Sequence, residues 1–144
     1  MQILEHGQDH ERTLLFFPCT AEPVWAFADT IAILSQRWHI FQVVFDGHQP
    51  EYPGDFTSVE QTVDEVTQYL NVHGISHLDA AYGCSLGGSF VGLLAARKSI
   101  HMDYGILGSS DLDQCSKLAA KLQTNLLLPL IYPLIRDGQF KSCF

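Results

Sequence analysis

Residues 78–97 read LDAAYGCSLGGSFVGLLAAR. The apolar start of this stretch predicts a short strand over Leu78–Tyr82, and its apolar end predicts a helix over Phe90–Arg97. The turn between them, Gly83–Gly88, contains the pattern Gly-x-Ser-x-Gly with Ser85 at its centre. A sharp turn from strand to helix lifts the side chain at its apex above the edge of a sheet, so this stretch predicts an exposed nucleophilic serine.

The rest of the chain alternates between strand-like and helix-like segments. We predict three further strands and one edge strand: Arg12–Phe17, His39–Phe45, Tyr104–Leu107 and, at the edge, Met1–Glu5. Apolar residues three or four apart predict two buried helix faces: Val24, Phe27, Ile31, Leu34 and Val59, Val63, Val66, Leu70. This alternation is typical of an α/β fold, in which helices cover a mostly parallel sheet.

The C-terminal part of the chain has a different pattern. Lys117–Leu122 predicts a helix, and two prolines interrupt the apolar run Leu126–Ile135 that follows it. This run is too short to cross a bilayer. We predict an α/β core over residues 1–114 and a helical, cap-like segment over 115–144, whose apolar surface would favour self-association if nothing covered it.

The composition excludes several classes of function. The chain has 144 residues, a formal net charge of −8 and no cluster of lysine and arginine, so nucleic acid is not an expected partner. Four cysteines lack the spacing of metal ligands: Cys19, Cys84, Cys115 and Cys143. The first residues lack the apolar core of a signal peptide, and together with the scattered thiols this predicts a reducing, cytoplasmic setting. We predict no metal, no cofactor and no membrane span.

The glycine-rich turn in this context resembles that of the α/β-hydrolase superfamily, and more closely that of its small bacterial esterase-like and lipase-like members. The resemblance covers Arg12 to Asp111 and includes Asp46-Gly47-His48 and Phe17-Pro18-Cys19-Thr20. It implies an incomplete α/β-hydrolase core, with strand order 4-3-5-6 in the family's numbering, followed by the start of a helical cap. It also implies hydrolysis of a small acyl ester or thioester without a cofactor.

The resemblance assigns roles to residues at the turn and at the loop after the first buried strand. It implies that Ser85 is the nucleophile and that the backbone N–H of Leu86 is one donor of the oxyanion hole. The family usually has His-Gly where this chain has Phe17-Pro18. Because proline has no N–H, the second donor would be Cys19 or Thr20.

The family's order of catalytic residues is serine, acid and then histidine near the C-terminus. Asp111 follows the last predicted strand and is the candidate acid. Only 33 residues follow Asp111, since the chain ends at Phe144, whereas one βαβ unit takes roughly 30 residues. The resemblance therefore implies that only the N-terminal half of the fold is present, without the catalytic histidine. We expect a truncated chain that is inactive alone, because a serine without a base is a poor nucleophile.

Each of the remaining candidates also has a purely structural interpretation. His48 is either a loop histidine in solvent or a side chain lining the acyl pocket, and Trp25 is either a core residue or a pocket wall. Asp111 could instead cap a helix or lie in a loop. Cys84 precedes the serine and is interpreted as a small packed residue.

Two classes of function remain open. The first is the serine hydrolase, and the alternative is a non-catalytic hydrolase-like module that acts as a dimer or as a partner-binding domain. A Rossmann-like or flavodoxin-like nucleotide binder shares the alternating pattern but needs a glycine-rich phosphate loop after its first strand. Phe17-Pro18-Cys19-Thr20 contains no glycine, which ranks this third class well below the others.

Overall fold

The computed structural model describes residues 1–48, 51, 53–110, 116–130 and 133. The chain divides into two compact units, Met1–Leu112 and Asp113–Phe144. In the second unit, a helix over Lys117–Leu122 continues into a π-helical turn over Gln123–Leu127. No helix in the described part of the chain is both long enough and apolar enough to span a membrane.

The first unit contains one sheet of five strands, β1 Gln2–His6, β2 Thr13–Phe17, β3 His39–Val44, β4 His77–Cys84 and β5 His101–Gly108. Its helices are α1 Ala28–Leu34, α2 Val59–Val72 and α3 Leu86–Arg97, and a 3-10 turn over Val24–Phe27 precedes α1. The strand order is β1-β3-β2-β4-β5, with β1 antiparallel to β3 and the other pairs parallel. The predicted α/β class, the edge strand β1 and the family order 4-3-5-6, which corresponds to β3-β2-β4-β5, are all confirmed.

The core lies on both faces of the sheet. All five residues of β2 are buried, which explains why Leu14–Phe17 form a continuous apolar run rather than an alternating pattern. On one face α2 and α3 contribute the larger cluster, which includes Val63, Val66 and Leu70 of the predicted α2 stripe. On the other face Ile31 is the buried residue of α1. Trp25, interpreted above as core or pocket wall, is 76% exposed.

The helix α3 begins at Leu86, four residues before the predicted start at Phe90. Glycines have low helix propensity, so the sequence pattern assigned Gly87 and Gly88 to the turn. In the structure Gly87 and Gly88 lie inside the first turn of α3, where other chain segments approach too closely for a side chain. A Cβ added to Gly88 would lie 2.3 Å from the side chain of Ser110.

The strand β5 leaves one side of the sheet open. Its apolar side chains are largely in solvent, with Tyr104 at 70% and Ile106 at 48% exposure. Together with residues of β2, β4 and α1, they line an open depression of about 600 Å³ that we call the apolar groove. Its apolar lining includes Leu14, Phe16 and Tyr82.

The carboxylate of Glu5 joins three elements of the first unit. One oxygen accepts a hydrogen bond from the Tyr69 hydroxyl of α2 at 2.5 Å, and the other lies 2.8 Å from Nε2 of His39 on β3. The pKa of Glu5 is lowered below its ordinary value of 4.5, mainly by the hydrogen bond from Tyr69 and to a smaller extent by the one from His39. The ionised form of Glu5 is therefore the one that stabilises the fold.

We expect Glu5→Gln to lower the free energy of unfolding at pH 7 and to have a smaller effect in acid. Because the pKa of Glu5 is lowered on folding, its contribution is complete above pH 4.5 and is lost as the pH falls further. Urea unfolding of both proteins between pH 7 and pH 3 measures this difference. Glu11→Gln, at an exposed position, is the control. A difference that stays constant across the range would contradict the assignment.

Candidate active site

Ser85 occupies the turn between β4 and α3, in a backbone conformation that is rare for a non-glycine residue. Its φ is 51° and its ψ is −117°, and the residue is exposed. The Ser85 amide donates a hydrogen bond to the Gly108 carbonyl at 2.8 Å, and the Ser85 carbonyl accepts one from the Gly88 amide at 2.9 Å. Strained backbone of this kind persists only where the surroundings fix it, and it is common at functional sites.

Two glycines let three chain segments meet around Ser85. A Cβ on Gly83 would lie 2.1 Å from the carbonyl oxygen of Gly87, and a Cβ on Gly87 would lie 2.5 Å from that of Phe17. The ends of β2 and β4 are adjacent because Phe17 and Gly83 are partners in the parallel register. The loop after β2 therefore passes directly against the first turn of α3.

The start of α3 presents amides that the helix itself does not use. Leu86 is the first residue of this 12-residue helix, so its N–H has no partner within it. The aligned peptide dipoles add a partial positive charge at the same end. Leu86 also packs its half-buried side chain against the core, so its structural and its predicted backbone role are compatible. The position beside Ser85 is suited to stabilising a negatively charged oxygen.

The structure distinguishes the two candidates for the second oxyanion donor. The Cys19 amide already donates a hydrogen bond to the Glu22 carboxylate at 3.1 Å. Thr20 is exposed, and its amide has no hydrogen-bond partner among the described residues. Of the two, Thr20 therefore offers the free N–H in this conformation.

Two thiols lie near the turn, and the surroundings of Cys19 make it a poor nucleophile. Cys19 and Cys84 are free cysteines, both partly buried. Burial, the hydrogen bond with Cys84 and the nearby Glu22 carboxylate raise the pKa of Cys19 to about 12. Because the thiolate is the reactive form, Cys19 stays unreactive at neutral pH.

His48 and Trp25 lie together in a cavity of about 810 Å³, and Ser85 is not among the described residues that line it. The His48 Nδ1 accepts a hydrogen bond from the Ala21 amide at 3.4 Å, and burial lowers the pKa of His48. Within the described ranges, no group forms a hydrogen bond with the Ser85 hydroxyl. The structure thus brings His48 and Trp25 together in one cavity whose described lining does not include Ser85.

Asp111, the candidate acid, lies outside the described residues. Two contacts near Ser85 were missed by the sequence analysis. Glu22 binds the Cys19 amide, and nothing in the local pattern indicates this. Gly108 accepts the hydrogen bond from Ser85, and this follows from the register that pairs Cys84 with Gly108. Only knowledge of that register could have predicted the second contact.

No protein-family model and no curated protein matches this sequence. Solved structures do match the fold. An alpha/beta hydrolase family protein from Desulfitobacterium hafniense has a TM-score of 0.75 at 21% identity, over 91% of this chain and 54% of that protein. A carboxylesterase from Nitrososphaera gargenis has a TM-score of 0.70 at 14% identity, over 90% of this chain and 48% of that one. MenH from S. aureus has a TM-score of 0.69 at 15% identity, over 95% of this chain and 52% of MenH.

These similarities are too low in sequence identity to transfer an activity, but they agree on the architecture. The chain spans about half the length of each of these proteins. The sheet order and the turn at Ser85 are those that the resemblance implied. The described residues therefore form part of an α/β-hydrolase core.

Proposed function

We propose that this chain supplies the nucleophile and the oxyanion hole of a serine hydrolase that acts on small acyl esters or thioesters. The observation that carries the proposal is the conformation of Ser85, an exposed residue with φ of 51° at the start of α3. A helix start beside an exposed serine combines a nucleophile with free amide donors, which is the arrangement acyl transfer needs. Two of the solved structures named above are described as an alpha/beta hydrolase family protein and as a carboxylesterase, which supports the reaction class.

The proposed reaction follows from the positions of these groups. The Ser85 oxygen forms a bond to the acyl carbon, and the carbonyl electron pair moves onto its oxygen, which Leu86 N–H and the free Thr20 N–H bind. The Ser85 proton passes to a histidine. The electron pair then re-forms the carbonyl, the bond between the acyl carbon and the leaving oxygen or sulfur breaks, and the leaving alcohol or thiol takes the proton from the histidine. Water completes the cycle by hydrolysing the acyl-enzyme. We propose that the histidine comes from outside this chain, as the resemblance implies, and that Asp111 is a candidate to orient it.

We propose that the cavity that contains His48 and Trp25 receives the acyl group of the substrate. Its lining combines apolar residues such as Val24 and Ile31 with polar ones such as Gln42, and the apolar part offers surface for an acyl group. Burial lowers the pKa of His48, which favours the neutral imidazole. A neutral imidazole in contact with Phe45, at 5.2 Å between ring centroids, is suited to lining a pocket. The free thiols Cys19 and Cys84 are in keeping with a reducing, cytoplasmic setting.

A second candidate is a non-catalytic module that binds a partner or a second copy of itself. The apolar groove and the exposed Tyr104 and Ile106 of β5 favour it. Exposed apolar surface of this kind commonly marks an interaction site.

Labelling with a fluorophosphonate probe separates the two candidates. We expect slow addition of one phosphonyl group per chain, detected by intact mass, because Ser85 is exposed beside free amides but has no base among the described residues. Ser85→Ala should lose all labelling, and Ser89→Ala in the same helix should keep it. Circular dichroism establishes that each variant is folded. A folded wild-type chain that never reacts would support the non-catalytic module instead.

A further inference from the structure

Two histidines and an aspartate meet at the outer pair of parallel strands. His77 and His101 are the first residues of β4 and β5 and are partners in the register, with ring centroids 5.1 Å apart. Asp103 follows two residues along β5, and its Oδ1 lies 3.0 Å from Nε2 of His77 and 3.8 Å from Nδ1 of His101. Each residue offers one ligand atom, and these three atoms all lie within 4.8 Å of one another. We call these three residues the His-His-Asp cluster.

The spacing of these atoms fits a small divalent ion. Two ligand atoms at about 2.0–2.1 Å from a tetrahedral zinc ion lie about 3.4 Å apart. The distances of 3.0 Å and 3.8 Å from the Asp103 oxygen fall on either side of that value. Imidazole nitrogens combined with a carboxylate oxygen suit zinc, copper and nickel better than calcium or magnesium, which prefer oxygen ligands alone.

The cluster is exposed and lies near a second carboxylate, so a cation would bind there without the large cost of burying a charge. The side chains of His77, His101 and Asp103 are 44%, 73% and 42% exposed, so an ion reaches them directly. A second carboxylate, Asp79 on β4, lies close enough to act on the charge of His77. Asp79 is itself fixed by hydrogen bonds from the Thr13 amide at 2.8 Å and the Thr13 hydroxyl at 3.1 Å. Asp79 adds negative charge near the cluster, and both hydrogen bonds from Thr13 go to its Oδ2.

We propose that His77, His101 and Asp103 bind a divalent transition ion of the zinc class and that this ion joins the outer strands β4 and β5. His77 would release the hydrogen bond that it makes with Asp103, and both groups would then coordinate the ion. The site is remote from Ser85, which follows the opposite end of β4. The 8 residues of β4, at about 3.3 Å each, separate the two by about 25 Å.

Titration of the chelator-treated, full-length chain with zinc chloride in a calorimeter tests the proposal. We expect one zinc ion per chain. His101→Ala and Asp103→Asn should each weaken binding by more than about 10-fold, since loss of even an indirect partner of a ligand costs 10–100-fold. His73→Ala removes an exposed histidine outside the cluster and should bind zinc as the wild type does. Absence of zinc binding, or an equal loss of affinity in His73→Ala, would overturn the proposal.

A second measurement addresses the connection between the strands. Hydrogen exchange of the β5 amides should slow when zinc is added to the wild-type chain, because an ion bound to both strands opposes their separation. In His101→Ala the same addition should leave the exchange rates unchanged. Equal slowing in the two proteins would place the zinc elsewhere and would also overturn the proposal. Both readouts are independent of the reaction proposed for Ser85.

Discussion

Gly83→Ala is expected to destabilise the fold by about 3 kcal/mol. The added Cβ would lie 2.1 Å from the Gly87 carbonyl oxygen and 2.6 Å from the Gly88 amide nitrogen. Both are backbone atoms of the first turn of α3, so no side-chain rotation relieves the overlap. The turn would have to open, and the hydrogen bond from Gly88 to Ser85 would be lost with it. Urea unfolding followed by circular dichroism measures the change in stability.

Gly105→Ala is the matched control for this substitution. A Cβ on Gly105 of β5 would lie 3.3 Å from Cγ1 of Val91, so a shift of a few tenths of an ångström relieves the contact. We expect a change of about 1 kcal/mol or less. Similar unfolding midpoints for the two variants would show that α3 is not held as closely to β4 as the structure indicates.

Phe90→Ala is expected to cost about 3–5 kcal/mol, the range observed for deletion of a buried aromatic ring. Phe90 is fully buried and lies at the centre of a group of rings. Its ring centroid is 5.1 Å from that of Phe17 and 4.9 Å from that of Phe45. It thereby joins α3 to the ends of β2 and β3, directly behind Ser85. A loss of this size is a large fraction of the 5–15 kcal/mol that stabilises a typical domain.

Trp25→Ala is the control for the loss of an aromatic side chain. Trp25 is larger than Phe90 but is 76% exposed, so its removal should change the free energy of unfolding by about 0.5 kcal/mol or less. Thermal and urea unfolding of the two variants should therefore differ clearly. A large cost for both variants would mean that Trp25 is covered in solution. A small cost for both would mean that Phe90 is not the centre of the core.

The sequence was most informative where local pattern and tertiary structure agree. The glycines around Ser85 predicted the strand-to-helix turn because close approach of three segments permits no side chain there. The α2 stripe of Val63, Val66 and Leu70 predicted the buried face, since helical spacing is a local property. The mostly parallel sheet followed from the alternation of strands and helices, whereas the order of its strands was implied by the family resemblance.

The features that were missed depend on contacts between distant residues. His77 and His101 are neighbours only because β4 and β5 share a parallel register, which no spacing within either segment indicates. The hydrogen bond from Cys19 to Glu22 depends on the conformation of the loop after β2. The α3 start at Leu86 was missed because the glycines that allow it have low helix propensity.

The position of β2 at the centre of the sheet has a consequence for synthesis on the ribosome. β2 pairs first with β3, which follows it closely, but its second partner is β4, in which Ala80 lies opposite Leu14. At 5–20 residues per second, the roughly 40 residues from Phe45 to Cys84 take about 2–8 s to emerge. Throughout that interval one edge of a buried, largely apolar strand has no neighbour. We therefore expect the nascent chain to be most prone to aggregation before β4 emerges.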